Sequence, residues 1–101
     1  MDVRDVALAH VEAMELLGAS NKRFLVTAGN FNNRLIVDLI RKHFPEYHSV
    51  LPSESVDGGN YPEGGTFKTD NTRSKEVLGI EYRDFEDTVV DTVNSFKIAS
   101  E

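Results

Sequence analysis

The chain has 101 residues, of which 40% are apolar and none is cysteine, so we expect one globular domain without a disulfide framework or a thiolate zinc site. Its 17 acidic and 11 basic residues give a net charge of −6, and the basic residues are scattered. This argues against nucleic acid and anionic membranes as partners, because both bind clustered positive charge. No apolar run reaches membrane-spanning length and the N-terminus lacks a signal-peptide pattern, which favours a cytoplasmic location.

The first predicted element is a helix that begins after Asp5, the expected N-cap, and ends near Gly18. Residues 1–4 before it are predicted to be a stub of strand. The apolar face of this helix recurs at steps of three and four residues and comprises Val6, Ala9, His10, Ala13, Met14 and Leu17. Because His10 lies on that face, we interpret it as a core histidine with a hydrogen-bond partner, in preference to a ligand or a base.

The stretch "RFLVTA", residues 23–28, is the strongest strand candidate, since three successive apolar residues suit a strand that is buried on both faces of a parallel sheet. Gly29 then marks a turn. Asn32 is expected to cap a second helix that ends at Pro45. The predicted core face of that helix comprises Leu35, Ile36, Leu39, Ile40 and Phe44.

A strand, a turn and a helix in this order are typical of a nucleotide-binding unit. A dinucleotide fingerprint, however, needs two further glycines, and Phe31 and Arg34 stand at those positions. A bulky side chain would occupy the space in which bare backbone approaches phosphate. We therefore interpret the turn as structural, with Gly29 providing backbone freedom.

The remaining chain predicts short strands at 49–52 and 66–69, separated by a loop with two glycine pairs, Gly58–Gly59 and Gly64–Gly65. A mobile surface loop is the favoured interpretation, and a lid or partner-binding loop is the alternative. A third, short helix would be capped by Asp70 or Asn71 and would end at Gly79. A fourth would begin at Asp84, and residues 97–101 would form a frayed tail. The apolar stripe of this fourth helix comprises Phe85, Val89, Val93 and Phe96.

Two clusters of ionisable residues are not predicted to form sites. His43, Glu46 and His48 could bind a metal ion, but their spacing across a proline at a helix end matches no zinc pattern, so no metal site is predicted. The acidic group at the fourth helix is interpreted as a cap and a solvated face, because no pocket feature supports an acid–base pair there. That group comprises Asp84, Glu86, Asp87 and Asp91.

Four helices accompany only two or three short strands, and so few strands leave a buried strand short of hydrogen-bond partners. The chain also resembles the dihydroflavonol-reductase-like branch of the extended short-chain dehydrogenases/reductases, which includes fungal NADPH-dependent aldehyde, ketone and methylglyoxal reductases. The similar motifs occur in the family's order: "DVRDVALAH", "KRFLVTAGNF", "IVDLIRKHFP" and "DNTRSKEVLGIEYRDFEDTVVDTVNS". The resemblance implies an α/β fold in which residues 1–96 form the C-terminal, substrate-side segment, without the complete Rossmann domain. Met1 stands where the family's motif has an aliphatic strand residue and a long upstream chain, so we expect the N-terminal NADPH-binding domain to be absent from this chain.

The resemblance also implies which groups are missing. The glycine-rich turn G-x-x-G-x-x-G that binds NADPH in the family does not occur in this chain, and no tyrosine belongs to a Tyr-x-x-x-Lys motif. The residues four positions after Tyr47, Tyr61 and Tyr82 are Leu51, Gly65 and Glu86. No catalytic, cofactor-binding or metal-binding residue is therefore predicted, and no substrate-lining residue is assigned.

The expected function is that of a carbonyl reductase segment that is not catalytically complete alone. NADPH would serve the complete enzyme, and a small aldehyde or ketone would be its substrate. The expected partner is the upstream Rossmann portion of the same enzyme, and the isolated chain would self-associate through its exposed strand edge. Two alternatives remain open, namely a non-enzymatic interaction module and an independent small α/β binding domain.

Overall fold

The computed structural model describes residues 1–56 and 61–100. In these two ranges the chain forms four α-helices and two short 3₁₀ turns, which confirms the predicted number of helices. The helices are α1 (Val3–Glu15), α2 (Asn33–His43), α3 (Thr72–Val77) and α4 (Phe85–Ala99), and the 3₁₀ turns are Leu17–Ala19 and Pro45–Tyr47. None of these helices is long and apolar enough to cross a membrane.

The chain divides into two compact units. The first unit comprises residues 1–29 and 68–85, and the second comprises residues 30–67 and 86–101. The core of the first unit consists of Ala9, Ala19, Leu78 and Ile80, with Phe24 and Val26 among the partly buried residues packed against it. In the second unit Phe44 and Val89 are the buried apolar residues among those that the structure describes.

The predicted strands are wrong: no residue in the described ranges, including 1–4, 23–28, 49–52 and 66–69, lies in a β-strand. A strand requires the backbone of a neighbouring strand as its hydrogen-bond partner. In residues 23–28 side chains take that place. The Arg73 guanidinium donates to the Arg23 carbonyl at 3.2 Å, and the Asn71 amide donates to the Thr27 carbonyl at 2.7 Å.

Helix α1 begins three residues earlier than the sequence predicts. Its N-cap is Asp2, whose carboxylate accepts the backbone N–H of Arg4 at 2.9 Å, so the assignment of Asp5 as the cap is wrong. The helix ends at Glu15 with Leu16 as its C-cap, and Gly18 lies inside the following 3₁₀ turn without a positive φ angle, so Gly18 is not the cap. The predicted apolar face is only partly buried in the structure.

The predicted caps of α2 and α3 are mostly confirmed. The Asn32 side chain accepts the backbone N–H of Leu35 at 2.9 Å, and α2 ends immediately before Phe44 and Pro45. Asn71 occupies the cap position of α3, while the Asp70 carboxylate accepts the N–H of Thr72 at 2.9 Å.

Glycines mark two of the predicted turns. Gly79, with a φ angle of +70°, follows α3, and Gly29, with a φ angle of +130°, forms the turn before α2. Both angles lie in the region that favours glycine, which confirms the interpretation of these turns.

Helix α4 begins directly after Asp84, as predicted, and continues to Ala99. Only Val89 of its apolar stripe is fully buried, and Phe96 is exposed. In the loop before α3, Gly58–Gly59 lies outside the described residues, whereas Gly65 closes a turn by donating its N–H to the Pro62 carbonyl at 2.8 Å. The domain boundary at residue 96 stays a prediction.

Candidate functional site

An ion pair with a buried carboxylate is the most enclosed charged feature of the first unit. Asp5 is 1% exposed, and its carboxylate accepts the backbone N–H of Arg83 at 2.9 Å and a hydrogen bond from the Arg83 guanidinium. The pair joins the first turn of α1 to the segment before α4. Both partners of the Asp5 carboxylate belong to Arg83, so the pair has a structural role.

A pair of hydroxyl groups lies in the same unit. Ser74 is fully buried, and its hydroxyl donates to the Asn71 carbonyl at 2.8 Å. The Ser74 and Tyr82 hydroxyl oxygens are 2.6 Å apart. Because Ser74 uses its proton on Asn71, the Tyr82 hydroxyl must be the donor in this contact. The Tyr82 proton is therefore engaged inside the unit, and this tyrosine is not offered to a substrate.

A small apolar concavity of about 200 Å³ lies between α1 and residues 24–26. His10 is exposed at its rim, which makes the interpretation of His10 as a core residue wrong. The predicted hydrogen-bond partner is present, since Nδ1 of His10 donates to the Val6 carbonyl of its own helix at 2.8 Å. The walls consist of Ala9, Ala13, Phe24, Val26 and Leu78, so they offer little polar chemistry.

A second concavity, of about 280 Å³, lies in the second unit between α2 and residues 52–56. Two arginines of α2 line it and could attract an anion. However, Arg34 donates to the carbonyls of Val56 and Glu54 at 3.0 and 3.1 Å, and Arg41 donates to the Pro52 carbonyl. These guanidinium groups bind the backbone of residues 52–56 to α2, so they do not form an open anion site.

The histidine group proposed and rejected as a metal site is dispersed. Nε2 of His43 donates to Glu86 at 2.6 Å, Nε2 of His48 donates to the Arg41 carbonyl at 3.0 Å, and Glu46 pairs with Lys97. Within the described ranges no group of three or more His, Asp or Glu side chains is arranged to hold a metal ion.

Two carboxylates of the second unit are held in their charged form by neighbouring donors. The hydrogen bond from His43, followed by that from Lys42, lowers the pKa of Glu86 below its usual value. The hydrogen bond from Lys97 likewise lowers the pKa of Glu46. A carboxyl group that acts as a general acid needs a raised pKa, so neither group is suited to that role.

The chain is similar to several curated reductases, although no protein-family model matches it. The ketoreductase AzaE of Aspergillus niger is 43% identical over 95 residues, which are 94% of this chain and 28% of that protein. The NADPH-dependent methylglyoxal reductase of Saccharomyces cerevisiae is 30% identical and is matched over 93% of this chain and 28% of its own length. Cinnamoyl-CoA reductase 1 of Arabidopsis thaliana is 36% identical over 97 residues.

Solved structures show the same relationship. The yeast methylglyoxal/isovaleraldehyde reductase complexed with NADPH matches 100% of this chain with a TM-score of 0.83 and 27% identity, over 33% of its own chain. The reductase Gre2 of Candida albicans, in complex with NADPH, has a TM-score of 0.83 and 36% identity over 99% of this chain and 30% of its own chain. The matched part of these proteins is their C-terminal part. This chain is a homologue of the C-terminal part of extended short-chain dehydrogenases/reductases.

The resemblance read from the four motifs is thereby confirmed, including the dihydroflavonol-reductase-like branch. This chain spans about 28% of the length of the curated relatives it matches. In the two concavities described above the polar groups are engaged or peripheral, and no tyrosine lines either of them. Sequence reasoning missed the Asp5–Arg83 pair, for which the sequence carries no local signal because 78 residues separate the partners.

Proposed function

We propose that this chain is the C-terminal, substrate-side segment of an NADPH-dependent carbonyl reductase and that it is not catalytically complete by itself. The observation that carries the proposal is the match of nearly the whole chain, in sequence and in fold, to the C-terminal part of NADPH-dependent reductases. The relatives' names supply the substrate class, carbonyl compounds. The small carbonyl substrate and the cytoplasmic location belong to this proposal.

The division of labour follows from the groups that the chain lacks. In a reductase of this family a hydride passes from the reduced nicotinamide to the carbonyl carbon, and the tyrosine of Tyr-x-x-x-Lys protonates the oxygen. Neither that motif nor a glycine-rich turn occurs in this sequence. We assign both to the upstream Rossmann portion, and we assign to this segment the closing of the pocket, which excludes water and orients the carbonyl.

This assignment predicts that the isolated chain does not bind NADPH. Calorimetric titration of the purified chain with NADPH should give no saturable heat at micromolar concentrations. Micromolar binding would contradict the proposal, because it would show a cofactor site within the segment.

A chimaera tests the substrate-side role directly. The part of AzaE that precedes the matched region is joined to this chain, and NADPH oxidation is followed by absorbance with a panel of small aldehydes and ketones. The upstream part alone should bind NADPH but position the carbonyl poorly, which costs about a hundredfold or more in rate. A chimaera that folds and binds NADPH yet reduces no carbonyl faster than the upstream part alone would refute the role.

A matched pair of substitutions sharpens the test. Leu25 is half-exposed between two residues that pack on the core, whereas Lys22 is exposed and lies immediately before the segment 23–28. Leu25→Asp should abolish the rate gain of the chimaera, because it places a charge where the upstream portion is expected to pack. Lys22→Asp should leave most of the gain. Equal effects of the two changes would show that residues 23–28 do not face the upstream portion.

The alternative of a non-enzymatic interaction module draws support from large exposed side chains such as Leu17 and Phe67. That alternative predicts no rate gain in the chimaera, so the chimaera assay distinguishes the two functions.

A further inference from the structure

Helix α1 carries two apolar faces. On the inner face Asp5 and Ala9 are buried and Ala13 packs against the core of the first unit. The other face, which we call the outer stripe, consists of Val3, Ala7, Val11 and Met14 and is exposed along its whole length. Its end residues, Val3 and Met14, are 77% and 79% exposed.

The two faces lie on opposite sides of the helix. Successive residues of an α-helix are separated by about 100°, so positions that are offset by two residues lie about 200° apart. Val3 and Ala7 are offset by two residues from Asp5 and Ala9. A helix that is apolar on both sides is typical of one that is covered on both sides within a larger protein.

We propose that the outer stripe of α1 is the docking surface for the upstream portion of the reductase polypeptide. This inference rests on the proposed function, which supplies the upstream portion as a partner. The surface that meets the stripe must itself be apolar, because none of the four stripe positions carries a charge or a hydrogen-bonding side chain. The covering element is an apolar face of the Rossmann portion.

The relatives indicate why this occupant is favoured over a second copy of the chain. In them the matched region is the C-terminal part and covers only 28% of the curated proteins, so the rest of the polypeptide enters at the start of the helix that corresponds to α1. A tethered partner acts at an effective concentration in the millimolar range. A second copy, which must associate from solution, competes poorly with it.

Thiol labelling in the AzaE chimaera tests the proposal. The chain contains no native cysteine, so one introduced cysteine can be followed by mass spectrometry of its peptide. Val3→Cys and Met14→Cys report on the outer stripe. Val50→Cys is the matched control, since Val50 is 76% exposed and lies in the second unit, outside α1.

In the native chimaera the two stripe cysteines should react about tenfold more slowly, or slower still, than in the same protein unfolded in urea. The Val50→Cys control should react at close to its unfolded rate. Full reactivity of both stripe cysteines in a chimaera that is folded by circular dichroism would overturn the proposal. Protection that disappears on dilution would also overturn it, because the occupant would then be a second copy.

The outcomes separate this inference from the proposed function. A chimaera that reduces carbonyls while its stripe cysteines remain reactive keeps the function and refutes the docking surface. A chimaera with protected stripe cysteines and no rate gain keeps the docking surface and refutes the substrate-side role.

Discussion

Replacement of Asp5 by alanine should destabilise the first unit more than the loss of a helix cap would. The Asp5 carboxylate is 1% exposed and has two partners on Arg83, the backbone N–H and the guanidinium. Asp5→Ala leaves the backbone donor without its acceptor. It also leaves the guanidinium without its counter-charge.

The two losses differ in size. A hydrogen bond to a charged group contributes about 1.5–3 kcal/mol, and the backbone N–H of Arg83 loses such a bond. The Arg83 side chain is 42% exposed, so water can solvate the released guanidinium, and this part costs no more than about 1 kcal/mol. The total is about 1.5–4 kcal/mol. By comparison, Asp2→Ala removes the observed N-cap, which contributes about 1 kcal/mol. It also removes an ion pair with the half-exposed Arg4 guanidinium, which adds no more than about 1 kcal/mol.

Urea unfolding of the two variants and the parent, followed by circular dichroism, measures this difference. The slope of the unfolding free energy against urea should stay constant, so that the midpoints report stability. Arg83→Ala, alone and combined with Asp5→Ala, completes a double-mutant cycle that isolates the guanidinium contact, because the backbone N–H remains in Arg83→Ala. The reasoning is refuted if Asp5→Ala costs no more than Asp2→Ala.

Two further predictions concern a turn and a titrating group. Gly79→Ala should cost about 1 kcal/mol of unfolding free energy, because the φ angle of +70° strains any side chain even though no atom lies within 4 Å of the added Cβ. Gly18→Ala has equal space and no positive φ angle, so it should change the unfolding free energy by no more than about 0.5 kcal/mol. Equal urea midpoints of the two variants would contradict this. Since the pKa of Glu86 is lowered in the folded chain, chiefly by His43, its stabilising contribution is present above the unfolded pKa and is lost as the pH falls through the folded pKa. A carbon-13 NMR titration should place the Glu86 midpoint below 4.5, and His43→Ala should raise it; a parent midpoint at or above 4.5 would count against the contact.

The sequence by itself determined the features that depend on near neighbours along the chain. Asn32 caps α2, Pro45 follows its end, and Gly79 closes α3, since each signal acts through a hydrogen bond or a φ angle within a few residues. The family was also readable from motifs in order. The absence of Tyr-x-x-x-Lys could likewise be read from the sequence alone, because the motif is defined by residues four positions apart.

Only the tertiary structure decided which of two aspartates caps α1. Asp2 and Asp5 both stand where a helix can begin, and the choice depends on Arg83, which reaches Asp5 from 78 residues away. The strand at 23–28 was predicted from its composition, but a strand exists only when another strand pairs with it. In this structure Asn71 and Arg73 offer side-chain donors to its carbonyls.

The two apolar faces of α1 show the same limit. Periodicity identified apolar positions on the helix, but it could not tell which of them the chain would bury. The structure buries Ala9 and leaves Met14 exposed, because the first unit provides a partner for one side of the helix only. Local hydrogen bonds and backbone angles are determined by adjacent residues, whereas the burial of a helix face depends on the segment that packs against it.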